Sequence, residues 1–329
     1  MALQTIAVIG ATGNQGSGVV TSLLANPTFA VRAITTNPKS NKVQKLLAQQ
    51  RDAANTGRLS IHTGDLRQIE SLRPALQGCD GVFVSFAFVS QKEGETPEVD
   101  MGKALVDLVK DLGIKHFVYS SLPSLSDASG GKFTQAHIYE AKATIAKYAQ
   151  ENLPAATFLV PGAFYSNLSW PGYARREDDV VRICIPLKPE TPFQRLDERY
   201  DIGRFAAAVF AKGPSFTKSK IYPIMAPQQT CVELAQEYEA ATGEKAIFDP
   251  LPLDEALELS VEATGLDLRK AFGDMFRYFD TVPAGTTCYG TMKLEDDDSF
   301  RDLGVKASTL TEYLGRTGFR VPSVKKDGD

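Results

Sequence analysis

An apolar strand over Thr5–Ile9 runs directly into Gly10-Ala11-Thr12-Gly13-Asn14-Gln15-Gly16, and helical spacing begins at Gln15. This GxxGxxG arrangement constrains the chain more than any other feature. The first glycine permits a tight turn, the second lets backbone approach a pyrophosphate, and the third lets helix and strand pack closely. The helix N-terminus then faces negative charge. A lone glycine triplet is a weak signal and also suits an ordinary strand-to-helix turn. Placed at the first strand of a βα series, this one reads as a dinucleotide-binding loop.

The rest of the first half repeats that strand–helix rhythm. Strands are predicted at Thr5–Ile9, Ala30–Thr35, Leu59–Thr63, Gly81–Phe86, His116–Ser120 and Thr157–Val160. Helices are predicted between them at Gln15–Leu24, Lys42–Gln49, Ile69–Leu76, Val99–Leu112 and Ala136–Ala149. Ala104, Leu105, Leu108, Val109 and Leu112 keep the 3.6-residue period, and Gly113 marks the stop. Strands joined by crossover helices form a parallel sheet covered on both faces, so the fold class is α/β and doubly wound.

After Pro161 the rhythm changes and prolines cluster at 186, 189, 192, 214, 223 and 227. Strands at Val180–Ile185 and Lys220–Ile224 mix with helices at Ile202–Phe210, Val232–Ala241, Asp254–Thr264 and Thr309–Arg316. Thr230 followed by Glu233 is a capping box. The division expected is a dinucleotide-binding domain over 1–160 and a smaller C-terminal α/β domain over 161–329, with some segments of the latter packing back on the former. Glu295–Asp298 reads as a solvated acidic loop and the tail from Pro322 as frayed.

Composition narrows the function classes. The chain has 329 residues, 43% apolar and 23% charged, which is the balance of a globular protein with an ample core. Its 36 basic and 40 acidic residues leave a net charge of −4 spread along the chain. That argues against direct nucleic-acid binding through a basic face and against a membrane-surface helix. No apolar run approaches the ~20 residues of a membrane span. Cys79, Cys184, Cys231 and Cys288 lack zinc-ligand spacing, and together with an N-terminus that shows no leader they suggest a cytosolic or nuclear setting.

The choice between NAD and NADP turns on the segment after the second strand. An acid about 20 residues beyond the loop would hydrogen-bond an unphosphorylated ribose. Here the residues are Thr35-Thr36-Asn37-Pro38-Lys39-Ser40, with no acid before Asp52. Thr36, Asn37 and Lys39 can hold a 2′-phosphate, which favours NADP(H) over NAD(H), although Lys39 also reads as a solvated helix-start lysine. Asp65, after the third strand, is placed either for the adenine end or as the cap of the next helix.

Several motifs in order carry a resemblance. GATGNQG, VRAITTNP, MGKALVDLVKDLGIKHFVYSSLPS, AHIYEAKATIAKY and LVPGAFYSNL are similar to the NmrA-like family of atypical short-chain dehydrogenases, and RLDERYDIG resembles its fungal branch. The resemblance runs with interruptions from residue 5 to about 245. It implies a doubly wound NAD(P)-binding domain with a small α/β domain over the cofactor cleft. It also implies either an NADPH reductase or a redox-sensing regulator that acts through a protein partner, and a homodimer. By the same resemblance Gly10, Thr12, Gly13, Asn14, Gln15 and Gly16 line the pyrophosphate, and Thr35, Thr36, Asn37 and Lys39 the adenosine ribose. Asp65 and Leu66 fall at the adenine and Ser85, Phe86 and Ala87 beside the nicotinamide ribose, while Pro161, Gly162, Ala163, Phe164 and Tyr165 line the nicotinamide end. Many relatives carry Arg where this chain has Thr36, so the usual strongest phosphate donor is missing.

Hydride transfer to a carbonyl, imine or quinone leaves negative charge that must be neutralised. Ordinary short-chain dehydrogenases use a Tyr with a Lys four residues on. Here Tyr139 and Lys142 are three apart, which turns the phenol about 100° from its usual bearing. Tyr139 therefore reads more readily as a surface residue of an amphipathic helix than as the acid. Lys142 matches the family's retained lysine, placed for the nicotinamide ribose or the substrate. Ser120 and Ser121 end the fifth strand at the sheet's carboxyl edge, where they orient a substrate or cap a loop. Tyr165 is a further candidate donor, and His137 is either a proton relay or a structural residue. Phe164, Tyr165, Trp170, Tyr173 and Phe193 suit an apolar pocket over the nicotinamide or a core equally well. There is no GxSxG, HExxH, Walker or CxxC motif. The expectation is an NADPH-dependent reductase of a small apolar quinone, enone, imine or carbonyl. The alternative is a non-catalytic dinucleotide sensor.

Overall fold

The centre of the protein is a seven-stranded parallel sheet, and the computed structural model describes residues 3–86 and 98–323. Six strands come from the first half: β1 (Gln4–Ile9), β2 (Phe29–Thr35), β3 (Leu59–Thr63), β4 (Gly81–Val84), β5 (His116–Ser120) and β6 (Ala156–Pro161). After Pro161 the strands are short, namely β7 (Ala163–Phe164), β8 (Ala174–Glu177), β9 (Val180–Ile183), β10 (Arg195–Leu196), β11 (Ile221–Ile224), β12 (Ala246–Phe248), β13 (Thr286–Thr287) and β14 (Met292–Lys293). The order across the main sheet is β11-β6-β5-β4-β1-β2-β3. Ala7, Val8, Val82 and Val118 are completely buried, because central parallel strands are covered on both faces and must be apolar throughout. Pro223 is accommodated in β11 because that strand pairs only with β6 and lies at the sheet edge. The sequence grouped this segment with the C-terminal half, where no hydrophobic pattern reveals which sheet a four-residue strand joins.

Two layers of helix cover the sheet. On one face α1 (Asn14–Ala25) packs against α5 (Tyr200–Lys212). The two backbones approach so closely that a Cβ on Gly18 would strike the Arg199 carbonyl oxygen, and one on Gly203 would strike the carbonyl of Gly18. The helix α2 (Asn41–Gln49) follows β2, its N-cap Ser40 accepting from the Val43 N–H. On the other face α3 (Glu98–Asp111) packs against α4 (His137–Asn152), where Gly102 leaves room for Ile145.

A separate aromatic core lies beyond the sheet. It gathers β8, β9 and β12 with α6 (Cys231–Thr242), α8 (Arg269–Phe279) and α9 (Leu310–Thr317), while α7 (Leu253–Thr264) packs on α8. Tyr165, Tyr238, Phe276 and Phe279 are buried in it. Capping boxes start α6 at Thr230–Glu233 and α9 at Thr309–Glu312. The helix α8 escaped the sequence reading although Ala271, Phe272, Met275, Phe276 and Phe279 keep a helical period. All four cysteines are free and buried. Among the described residues no helix is long and apolar enough to cross a membrane, and no cluster of side chains could hold a metal ion. Of the tail expected from Pro322, residues 324–329 lie outside the described residues.

Candidate functional site

The chain reverses its direction of winding between β1 and β4, which are neighbours in the sheet. A crevice at the carboxyl ends of such strands is where a doubly wound sheet takes its ligand. The glycine loop opens there. Gly10 adopts φ +72°, a left-handed conformation that glycine takes without steric cost, and its Cα faces the Ser85 carbonyl oxygen at the end of β4. The Gly13 N–H bonds the Gly10 carbonyl at 2.9 Å, closing the turn. A Cβ on Gly16 would run into that same carbonyl, so the third glycine sets the helix-to-strand distance. Gly13 then caps α1 in an extended conformation with no side-chain bond, and the first turn holds no acid. Among the described residues no side chain caps the N-terminal N–H groups of α1, an end that favours negative charge.

Two buried acceptors flank this turn. Gln15 Oε1 and Glu198 Oε2 are both without a hydrogen-bond partner among the described residues. Glu198 reaches the loop from the segment before α5. Its Oε1 accepts from Asn14 Nδ2 at 3.2 Å and from Ser166 Oγ at 2.6 Å. Burial raises the Glu198 carboxyl above its usual range, with the Ser166 and Asn14 bonds opposing. Among the described residues the turn therefore presents helix N–H groups uncapped by any side chain, with two unpaired acceptor oxygens beside them.

The segment that the resemblance assigns to the adenosine end is largely exposed. Thr35 is buried at the end of β2, and its hydroxyl accepts from the Asn37 N–H at 3.3 Å. Asn37 Oδ1 in turn accepts from the Lys39 N–H at 3.1 Å, so its carbonyl oxygen is used by the turn. Thr36 and Lys39 are open to solvent. Asp65 Oδ1 accepts from the Arg67 N–H at 2.9 Å within a local turn, and the next helical turn, Ile69–Leu72, starts at Gln68 without a side-chain cap, so Asp65 is not its cap. Leu66 packs into the sheet core, as do Phe86 and its edge-on neighbour Tyr119. Ala87 lies outside the described residues.

The nicotinamide end implied by the resemblance draws on distant segments. Ser120 and Ser121 are buried, and Ser121 Oγ donates to the Lys142 carbonyl at 3.3 Å. Lys142 is buried as well, and its ammonium lies 2.7 Å from Glu98 Oε1. Glu98 was not singled out in the sequence, where it reads only as an acid in a helix's first turn. Pro161 and Gly162 are buried at the end of β6, and a Cβ on Gly162 would come within 2.7 Å of the Gln194 carbonyl. That glycine lets Ala163 and Phe164 pair with Arg195 and Leu196.

Two tyrosines differ from expectation. Tyr139 is not on the surface but 6% exposed, edge-on to Tyr289 at 5.3 Å and to Phe279 at 6.3 Å. The three-residue offset from Lys142 turns it into the aromatic core, and burial with the Tyr289 phenol beside it drives its ionisation far above the usual range. Tyr165 is 1% exposed, stacked on Tyr313, with its hydroxyl donating to the Ser308 carbonyl at 3.3 Å. His137 is exposed. Of the expected aromatic lining, Phe193 joins Met225, Phe279, Val282 and Tyr289 around a small apolar recess, and the Tyr289 hydroxyl donates to Pro161 at 2.9 Å. Tyr165 and Tyr173 instead belong to the core, Trp170 packs on it, and Phe164 packs on the sheet side.

Comparison with known proteins agrees with this geometry. The model of the NmrA-like family matches residues 2–314. An NmrA-like family domain-containing oxidoreductase of Aspergillus campestris is 36% identical over 343 aligned positions, covering 96% of this chain and 97% of that one. The negative transcriptional regulator NmrA in complex with NAD superposes with a TM-score of 0.75 at 18% identity, over 96% of this chain and 95% of that one. An NADPH-dependent quinone oxidoreductase of Escherichia coli, complexed with NADPH, gives 0.68 at 21% identity, over 95% of this chain and 100% of that one. With a family match over nearly its whole length and a doubly wound sheet carrying the glycine loop, the chain belongs to the NmrA-like family.

Proposed function

We propose that the protein is an NAD(P)H-dependent reductase of a small, largely apolar quinone, enone, imine or carbonyl, with NADPH the preferred donor. The observation that carries the reading is the N-terminus of α1, uncapped by any side chain and free of acids behind the glycine turn. An anion there meets aligned backbone N–H groups. When bound on that turn, NADPH would supply the hydride. Lys142 supplies a positive charge beside the carboxyl edge of β5 for the negative charge left on the reduced substrate. Thr36 and Lys39 are exposed where a 2′-phosphate would lie, and no acid stands between Thr35 and Ser40 to repel it. The likeness to the quinone oxidoreductase supports the fold of such an enzyme.

The test is NADPH oxidation at 340 nm with 1,4-naphthoquinone, comparing wild type with Lys142→Met. Loss of about a hundredfold or more in turnover supports the assignment. Equal rates remove Lys142 from the chemistry.

A second reading has its own observation. Tyr139 is buried in the aromatic core, so the Tyr–Lys pair of ordinary short-chain dehydrogenases is not assembled. A non-catalytic NAD(P) sensor acting through a protein partner needs no such pair. It requires partner affinity to differ between oxidised and reduced nucleotide, because a ligand shifts an equilibrium only through differential binding. Pull-downs with NADP⁺ and with NADPH that recover the same partners equally would count against it.

A further inference from the structure

Lys142 does not stand alone at the carboxyl edge of β5. Its Nζ lies 2.7 Å from Glu98 Oε1, and the two side chains are only 10% and 9% exposed. The pair joins the first turn of α3 to the second turn of α4. The lysine backbone is tied as well, through the bond from Ser121 Oγ to its carbonyl. Near the carboxylate lies Tyr119, whose hydroxyl is buried and has no hydrogen-bond partner among the described residues. Burial, and then the Glu98 charge, keep that phenol far above its usual ionisation range. Glu98 therefore faces a cation through a direct ion pair and a neutral phenol through space.

Stability alone is a poor reason for this arrangement. A buried ion pair is often replaced by apolar residues of similar volume with no loss, whereas removing one partner leaves a costly unpaired charge. The two helices already have an apolar contact of their own, Ile145 against Gly102. What the carboxylate adds is position. A lysine side chain has four rotatable bonds and loses much freedom when fixed. A carboxylate at hydrogen-bond distance selects one place for its ammonium.

We propose that Glu98 is the positioning residue of Lys142, fixing its ammonium at the carboxyl edge of β5 so that a bound nucleotide meets a constrained cation. The proposal rests on the reading of Lys142 as a nucleotide-facing residue. Glu98 itself touches neither nucleotide nor substrate and acts only through the lysine.

The test is a double-mutant cycle on the full chain, with NADPH titrated calorimetrically into wild type, Glu98→Gln, Lys142→Met and the double variant. Glu98→Gln weakens binding about tenfold when Lys142 is present and changes it by less than about twofold when residue 142 is Met. Equal losses in both backgrounds make Glu98 part of the scaffold and overturn the proposal, as does no loss in either. Glu98→Asp keeps the charge on a shorter arm and recovers part of the affinity; it also serves the cycle if the glutamine variant fails to fold. A second readout needs no nucleotide. Acetylation of Lys142 by acetic anhydride, followed by mass spectrometry, runs about tenfold faster in a folded Glu98 variant if the carboxylate anchors the amine. An unchanged rate overturns the anchoring, whereas absent NADPH binding with accelerated labelling overturns only the nucleotide reading.

Discussion

The two ends of the site are built in different ways. At the glycine turn, seven consecutive residues and the helix they open supply nearly everything, and most of it is backbone: a left-handed Gly10, a Gly16 with no space for a side chain, and helix N–H groups that no described side chain caps. At the other end six separate segments converge, and side chains make most of the contacts: Glu98 with Lys142, Ser121 on the Lys142 carbonyl, Tyr289 on the Pro161 carbonyl, and Gly162 under Gln194. A backbone-built site tolerates almost no change in its glycines. A side-chain-built site can be retuned one residue at a time, which is how one fold hosts different chemistries.

The sharpest way to break this contrast is Lys142→Ala. It leaves the Glu98 carboxylate buried without its counter-charge and is expected to destabilise the fold by about 3 kcal/mol, read from the denaturant midpoint. Unchanged stability would show that the pair is not desolvated as described. Next comes Gly16→Ala, whose methyl would meet the Gly10 carbonyl. It should cost about 2 kcal/mol of stability and weaken all nucleotides alike by about tenfold. Gly162→Ala also crowds a carbonyl, that of Gln194, yet it should leave adenosine-end discrimination between NADPH and NADH untouched. If Gly16→Ala affects only one nucleotide, the loop is not the common anchor.

These variants also mark what the sequence could reveal. The parallel sheet, the loop and the Gly113 helix stop were legible because they depend on period and on neighbours within a few residues; Gly113 indeed has φ +66°. Glu98 was not, because nothing local distinguishes it from any acid favouring a helix N-terminus, and its partner is 44 residues away. Tyr139 was misplaced for the same reason. Helical spacing gives the direction of its side chain, but what awaits it there is Tyr289, on a turn where Cys288 and Tyr289 both adopt left-handed backbone. Glu198 lay within a quoted motif, yet its reach to Asn14 spans 184 residues of sequence. The close contact of α1 with α5 turns on Gly18 and Gly203, which look like ordinary glycines of helix interiors until the helices are seen crossing.

A milder change sharpens the adenosine end. Thr36→Arg adds a guanidinium donor and should raise NADPH affinity about tenfold, since guanidinium–phosphate bonds are charge-assisted, while NADH binding stays the same. Equal gains for both nucleotides would place the 2′-phosphate elsewhere. The smallest effect is expected from Tyr139→Phe. Losing one buried hydroxyl should cost about 1 kcal/mol of stability and leave turnover within about twofold. A large loss of turnover at unchanged stability would return Tyr139 to the chemistry, against its position in the aromatic core.

The central claim, that the backbone-built turn holds a dinucleotide and the exposed segment after β2 selects its phosphate, is tested most directly by one experiment. NADPH, NADP⁺, NADH and NAD⁺ are titrated side by side into the purified protein by calorimetry. Tight binding of NADPH with much weaker NADH is the expected result. Preference for the oxidised forms would move the protein from reductase to sensor, and no binding of any of the four would contradict the assignment of the glycine turn itself.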